Sequence, residues 1–143
     1  MEPESVLEFM QSLWAVDHGF VKLSKRMRTT LGVTGRQRLV VRQVGRHPGI
    51  SAGALARILH LHPSTLTGVL RRLVDRGLLR RSVDARDARR TRFLLTASGW
   101  RVDALRAGTV EWRVREALAA CSRRDVETAR RVLLRVVASL ARS

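Results

Sequence analysis

The sequence predicts a mainly α-helical fold that carries one small β-hairpin. The prediction rests on three features met in order along the chain. A short helix leads into the turn 60–62, a second helix begins at Pro63, and a basic hairpin follows between residues 78 and 95. This order of parts describes a winged helix-turn-helix. Such a unit places one helix in the major groove of DNA and an Arg-bearing loop in the neighbouring groove.

The first helix is predicted from about residue 4 to residue 30, because apolar residues recur there at intervals of three and four. Leu31-Gly32-Val33 ends it, and Thr34 is a suitable N-cap for a second helix that runs through Arg46. The first apolar stripe consists of Val6, Phe9, Met10, Leu13, Val16, Phe20, Leu23 and Met27. The residues predicted to face inward from the second helix are Leu39, Val40, Val41 and Val44.

The two helices of the helix-turn-helix have clear start and stop signals. Ser51 is predicted to cap the first of them, and Pro63 stands in the first turn of the second, which Gly77 ends. The apolar face of the first is Leu55, Ile58 and Leu59. The second helix is predicted to direct Leu66, Val69, Leu70 and Leu73 inward. Its outward residues are Ser64, Thr65, Thr67, Arg71 and Arg72.

The hairpin and two long helices complete the prediction. Residues 78–83 and 91–95 form its two strands. Thr96 caps a long fifth helix to about Ala120, in which Gly108 marks either a bend or a close helix approach. A capping-box spacing opens a last helix over 122–141. Helices 4–30 and 122–141 are more apolar than a small helical domain needs, so we expect them to form the interface of a homodimer.

The charge of the chain favours a nucleic-acid partner. Its formal net charge is +16 over 143 residues, and its sequence pI of about 11.9 exceeds the value of about 9 that is typical of nucleic-acid binders. The basic residues are almost all Arg, whose planar donors suit phosphates and guanine edges. Between His18 and Val83 the only acid is Asp75. A GC-rich genome alone explains scattered arginines, but not a segment so depleted in acids.

Length and composition narrow the class of protein further. The length favours one domain, and no stretch is apolar enough to cross a membrane. The acidic start of the chain does not resemble a secretory signal, and the single Cys121 excludes an intrachain disulfide, so a cytoplasmic location is expected. No metal cluster, catalytic triad, phosphate loop or dinucleotide motif is present, which argues against an enzyme and against a cofactor. The remaining alternative is an architectural protein that coats DNA without sequence preference.

With these parts placed, the chain resembles the MarR family of winged helix-turn-helix regulators. In the wing, Asp87 and Arg89 keep the Asp-x-Arg spacing of that family. The other matching segments are Leu31–Thr34 with Gln37, His47–Ser51, Leu55-Ala56, Pro63–Thr67, Leu73–Leu78, Leu95-Thr96 with Gly99, and Leu118–Asp125. Three positions depart from the usual pattern. Ala88 replaces a basic residue in the wing, Gly68 replaces a longer polar residue, and His62 stands where Asp or Ser is usual and weakens the helix cap.

The resemblance implies a homodimer that binds a pseudo-palindromic operator as a repressor or an activator, and of these we expect a repressor. It implies a single domain over 1–143, with a DNA-binding lobe at 34–96 and dimerisation helices at 4–30 and 97–141. From the residues and the resemblance together, Asp87 is expected to hold the wing by pairing with a nearby Arg. The residues predicted to contact DNA are Ser51, His62, Ser64, Thr65, Thr67, Arg71, Arg72, Arg86, Arg89 and Arg90.

The resemblance also implies a small aromatic or anionic effector, for which Trp14, His18, Arg42 and Trp112 are the candidate residues. For both tryptophans, packing in an interface is the simpler interpretation. His60-x-His62 is too short a spacing for a metal site without further ligands. Burial is expected for Cys121 rather than a redox role, because no second cysteine could resolve it.

Overall fold

The computed structural model describes residues 1–142 and confirms the predicted fold class: mainly helical, with a small three-stranded antiparallel wing. By internal contacts the chain divides into one unit over Met1–Thr109 and a second from Val110 onward. The elements of the first unit are α1 (Pro3–Leu31), α2 (Gly35–Arg46), β1 (Ile50–Ser51), α3 (Ala52–Leu59), α4 (Pro63–Asp75), β2 (Leu79–Val83), β3 (Thr91–Leu95) and α5 (Ala97–Ala104). The second unit contains α6 (Val110–Leu118) and α7 (Arg123–Leu140).

The predicted caps fix the helix ends. Thr34 and Gln37 form a capping box at the start of α2, with the Thr34 hydroxyl accepting from the Gln37 amide at 3.1 Å. The Ser51 hydroxyl accepts from the Ala54 amide at 3.2 Å. Gly32, directly after α1, and Gly77, two residues after the end of α4, adopt left-handed backbone conformations with φ of 77° and 72°. Both turns favour glycine, because a side chain strains this region.

The core of the first unit lies between the helix-turn-helix and the sheet. The strands run in the order β1-β3-β2, and Leu79 pairs with Leu95 and Val83 with Thr91. The two-residue strand β1 was not predicted, because so short a segment has no readable periodicity. The buried cluster consists of Val33, Val40, Val41, Val44, Leu55, Ala56, Leu66, Val69, Leu70, Leu73, Leu78, Leu79, Phe93 and Leu95.

Two residues predicted to face inward are exposed. Leu39 keeps 45% of its surface and Ile58 keeps 44%. In α2 the valines at 40, 41 and 44 already fill the arc that faces the core. In α3 that arc is filled by Leu55 and Ala56, and Ile58 lies at its margin. The predicted inward face therefore included one residue too many in α2 and one too many in α3.

The prediction of one continuous helix from Thr96 to Ala120 is wrong. α5 ends at Ala104, and α6 begins only at Val110. Two features account for the break. The guanidinium of Arg38, a fully buried residue of α2, donates to the carbonyl oxygens of Val102 and Leu105. Gly108 then adopts a φ of 78°, which is outside the helical region.

Candidate nucleic-acid interface

Helix α4 separates cleanly into a buried and an exposed face. Leu66, Val69, Leu70 and Leu73 are buried, as predicted. The exposed side chains are Ser64, Thr65, Thr67, Arg71 and Arg72. Three short hydroxyl side chains near the start of the helix leave room for close approach of its backbone. Two arginines add cationic donors in its second half.

The start of α4 is capped by a histidine. His62 Nδ1 accepts from the Ser64 amide at 3.2 Å and lies 2.7 Å from the Ser64 hydroxyl oxygen. His62 therefore caps α4 through its side chain. The sequence had predicted that a histidine at this position weakens the cap. An Nδ1 that accepts leaves the ring proton on Nε2, so the exposed ring can donate a hydrogen bond outward. Nearby, the Thr67 hydroxyl donates to the Pro63 carbonyl at 2.9 Å, which holds its rotamer.

Residues 84–90, which we call the wing loop, are shaped by two aspartates. One carboxylate oxygen of Asp84 accepts from the Arg86 amide at 2.9 Å, and one of Asp87 accepts from the Arg89 amide at 3.0 Å. Such local turns are characteristic of Asp. The backbone of the loop closes through the Asp84 amide and the Arg90 carbonyl at 3.0 Å. The side chains of Arg86, Arg89 and Arg90 are all exposed.

The shortest ion pair of the wing joins Asp84 and Arg92, and neither residue was predicted to be part of the site. Arg92 Nη2 lies 2.8 Å from Asp84 Oδ2, whereas Arg90 Nε lies 3.9 Å from Asp87 Oδ2. The backbone hydrogen bond from Arg86 and the side-chain bond from Arg92 hold the pKa of Asp84 below its ordinary value. We predicted that Asp87 fixes the wing, but the structure gives the shorter pair to Asp84. The positions of Asp84 and Arg92 on opposite sides of the predicted hairpin were the sequence feature that could have indicated this ion pair.

Ser51 and the candidate effector residues are placed as follows. Ser51 is half-buried and spends its hydroxyl oxygen on the cap of α3. Trp14 is 63% exposed on α1, where His18 is also exposed. Arg42 on α2 forms an ion pair with Asp103 at 2.9 Å. In the second unit, Trp112 is half-buried, with the Arg113 guanidinium 5.3 Å from its ring centre.

Several other expectations can be compared with the described part of the chain. Cys121 is exposed, so its predicted burial is wrong. It lies in the short connection between α6 and α7, which gives it little cover. Within residues 1–142, no group of three or more metal-ligating side chains occurs. None of the described helices has the length and apolar character needed to cross a membrane.

Comparison with known proteins shows what this chain is similar to. Residues 33–91, from just before α2 to the first residue of β3, match the model of the MarR family. This part of the chain is similar to the MarR family. A curated relative, the transcriptional regulator HosA of Escherichia coli O127:H6, is 40% identical over 70 residues. That alignment covers 49% of this chain and 52% of HosA, so the chain spans about half the length of the curated relatives it matches.

Solved structures show that the MarR-like fold extends beyond the matched segment. A complex of S. aureus MepR with DNA aligns with a TM-score of 0.77 at 20% identity, covering 92% of this chain and 97% of that one. The regulator BldR from Sulfolobus solfataricus gives the same TM-score and identity, with coverages of 94% and 99%. The relatives are regulators, in agreement with the prediction that the chain is not an enzyme.

Proposed function

We propose that this protein is a transcriptional regulator of the MarR family that binds specific double-stranded DNA sequences. The observation that carries the proposal is the exposed face of α4, whose hydroxyl and guanidinium groups lie opposite a fully buried apolar face. The net charge of +16 supplies the long-range attraction to phosphates. The DNA bound by MepR and the regulator name of HosA support the same function.

In the proposed complex, α4 enters the major groove and the wing loop lies against the adjacent minor groove. Thr65 and Arg71 contact base edges, because they lie on the exposed face of the helix that approaches the bases. Arg72 contacts phosphates. Arg89 enters the minor groove, where the negative potential is strongest over narrow A·T tracts.

We further propose that the protein acts as a homodimer on a pseudo-palindromic operator. α1 exposes large apolar side chains that its own unit leaves uncovered, including Trp14 at 63% and Leu7 at 59%. α7 exposes a second apolar set, with Val132, Leu133 and Val137 each above 40%. A second copy that covers these surfaces would place two α4 helices about 34 Å apart, one turn of DNA.

Selection of bound fragments from random DNA tests the proposal. A specific regulator enriches one sequence and binds it at least about 10³-fold more tightly than random DNA at matched salt. An architectural protein enriches none, and its affinity depends on salt alone. R71A should then reduce the preference for the selected sequence. R130A is the matched control, because it removes the same charge from an exposed i,i+3 ion pair on α7.

We also propose that the regulator represses and is released by a flat aromatic acid. Trp14, His18 and Arg42 are the proposed contacts in the first unit, and Arg42 would have to exchange Asp103 for the ligand. Release requires that the ligand prefer the conformation that does not bind DNA. Quenching of tryptophan fluorescence by salicylate, together with loss of the bound operator, would support this. If no acid in a panel of such compounds has either effect, the proposed effector is wrong, and the proposed DNA binding is unaffected.

A further inference from the structure

Arg92 joins three segments of the chain through one guanidinium group. Its Nε and Nη2 lie 3.2 Å and 2.8 Å from Asp84 Oδ2, at the start of the wing loop. Its Nη1 donates to the carbonyl oxygen of Gly49 at 3.0 Å. Arg92 itself belongs to β3 and pairs with Ser51 of β1 and Ser82 of β2. We call the group formed by Asp84, Arg92 and the Gly49 carbonyl the wing brace.

The Gly49 end of the brace is itself well fixed. The Gly49 amide donates to the Phe93 carbonyl at 2.9 Å, and the Ile50 amide donates to the His47 carbonyl at 3.0 Å. Gly49 has a φ of 81°, a conformation that favours glycine. This turn leads directly into Ser51 and the helix-turn-helix. The brace therefore connects the wing loop to the first residues of the helix-turn-helix unit.

We propose that the wing brace sets the distance between the wing loop and α4, and thereby the spacing of the two DNA contacts that the protein recognises. The proposal rests on the proposed DNA-binding function. Arg92 is then a positioning residue, because three of its five N–H donors are directed to acceptors within the protein. The wing-loop arginines that we propose to contact DNA are those at 86, 89 and 90, whose side chains are exposed.

The physical argument is one of preorganisation. The Asp84 side chain is only 12% exposed, while that of Arg92 is 46% exposed. The ion pair is therefore partly shielded from water, and two guanidinium nitrogens on one oxygen restrict its geometry more than a single bond would. Ordering a residue costs conformational entropy. A loop ordered before binding avoids that cost, and it presents Arg89 at a fixed distance from α4. The lowered pKa of Asp84 is consistent with a carboxylate that stays ionised in the brace.

The first experiment uses the duplex that the wild-type protein selects from random DNA, and a second duplex in which the flanking A·T segment is moved outward by one base pair. The wild type should bind the shifted duplex at least about tenfold more weakly, the cost typical of one wrong position. R92K keeps the charge but loses the forked geometry. D84N removes a negative charge near the DNA. For both variants, the ratio of the affinity for the selected duplex to the affinity for the shifted duplex should fall below about threefold.

D84N separates the brace from simple electrostatics. A purely electrostatic role predicts tighter binding to both duplexes with the ratio unchanged, and that result would overturn the proposal. R130K is the matched control, because Arg130 forms an exposed i,i+3 ion pair on α7 and is not among the proposed DNA contacts. It should keep the wild-type ratio. An unchanged ratio in R92K would equally overturn the proposal while leaving DNA recognition by α4 intact.

A second measurement needs no DNA and tests the brace even if no sequence is selected. Amide hydrogen exchange at Asp84 and Arg86 reports two hydrogen bonds of the wing loop: the Asp84 amide donates to the Arg90 carbonyl, and the Arg86 amide donates to the Asp84 carboxylate. Exchange at these amides should be at least about tenfold faster in R92K than in the wild type, and unchanged in R130K. Exchange within α2 and α4 should not change, which distinguishes local loosening from global unfolding. Wild-type protection in R92K would show that Arg92 does not order the loop.

Discussion

Arg38 offers the sharpest test of how the first unit is held together. Its guanidinium is fully buried and donates to the carbonyl oxygens of Val102 and Leu105, at the point where α5 ends. Arg38→Ala removes both hydrogen bonds from this charged donor, although the Val102 carbonyl still accepts from the Leu105 amide at 3.1 Å and the Leu105 carbonyl from Arg106 Nη1 at 3.0 Å. A hydrogen bond that involves a charged group contributes about 1.5–3 kcal/mol. Two of them give a loss of about 4 kcal/mol in the free energy of unfolding, before any cost of the cavity.

Chemical denaturation of the full chain followed by circular dichroism measures this loss, at one fixed protein concentration because a dimer would shift the midpoint. For a chain of this size, about 4 kcal/mol corresponds to a decrease in Tm of about 10 °C. Arg38→Met keeps most of the aliphatic volume, and should still lose about 2–3 kcal/mol because both charged hydrogen bonds are removed.

The matched control lies one helical turn further along α2. Arg42 forms an ion pair with Asp103 at 2.9 Å, but its side chain is 32% exposed. Arg42→Met should therefore cost less than about 1 kcal/mol, as solvent-accessible ion pairs generally do. The reasoning is refuted if Arg38→Met is as stable as the wild type, since the aliphatic stem alone would then account for the role of Arg38.

Three further predictions concern the glycines, the helix cap and the wing. A Cβ at Gly99 would lie 2.1 Å from a backbone oxygen, whereas a Cβ at Gly68 meets nothing within 4 Å. Gly99→Ala should therefore lower the free energy of unfolding, and Gly68→Ala should raise it by up to about 1 kcal/mol. Urea denaturation measures both changes. His62→Ala should cost about 1 kcal/mol by the same assay and His62→Asp should restore it, because only Asp can replace the cap acceptor. The ionised Asp84 stabilises the fold above its ordinary pKa of 3.8, and that contribution is lost as the pH falls through the lower folded pKa. An NMR titration should show this pKa rising toward its ordinary value in Arg92→Gln, and no rise would contradict the wing brace.

The sequence by itself determined the order of the elements and most of their ends. Caps such as Thr34 and Ser51, and stops such as Gly32 and Gly77, act through backbone geometry within a few residues, so they can be read locally. The inward residues of α4 followed from helical periodicity, and its exposed polar face followed with them. The interpretation as a MarR-type winged helix-turn-helix rested on this local information and on the order of the motifs.

Only the tertiary structure decided features that depend on contacts between residues distant in sequence. The break after α5 requires Arg38 to meet carbonyls more than 60 positions away. Arg38 lies three positions before the buried Val41 on the same face of α2, but arginines are rarely buried without partners, so the sequence alone does not identify it. The wing brace likewise joins Arg92 to Gly49, which are 43 positions apart. Local patterns specify how a segment folds, whereas the partner of a buried or braced charge is fixed only when the segments pack together.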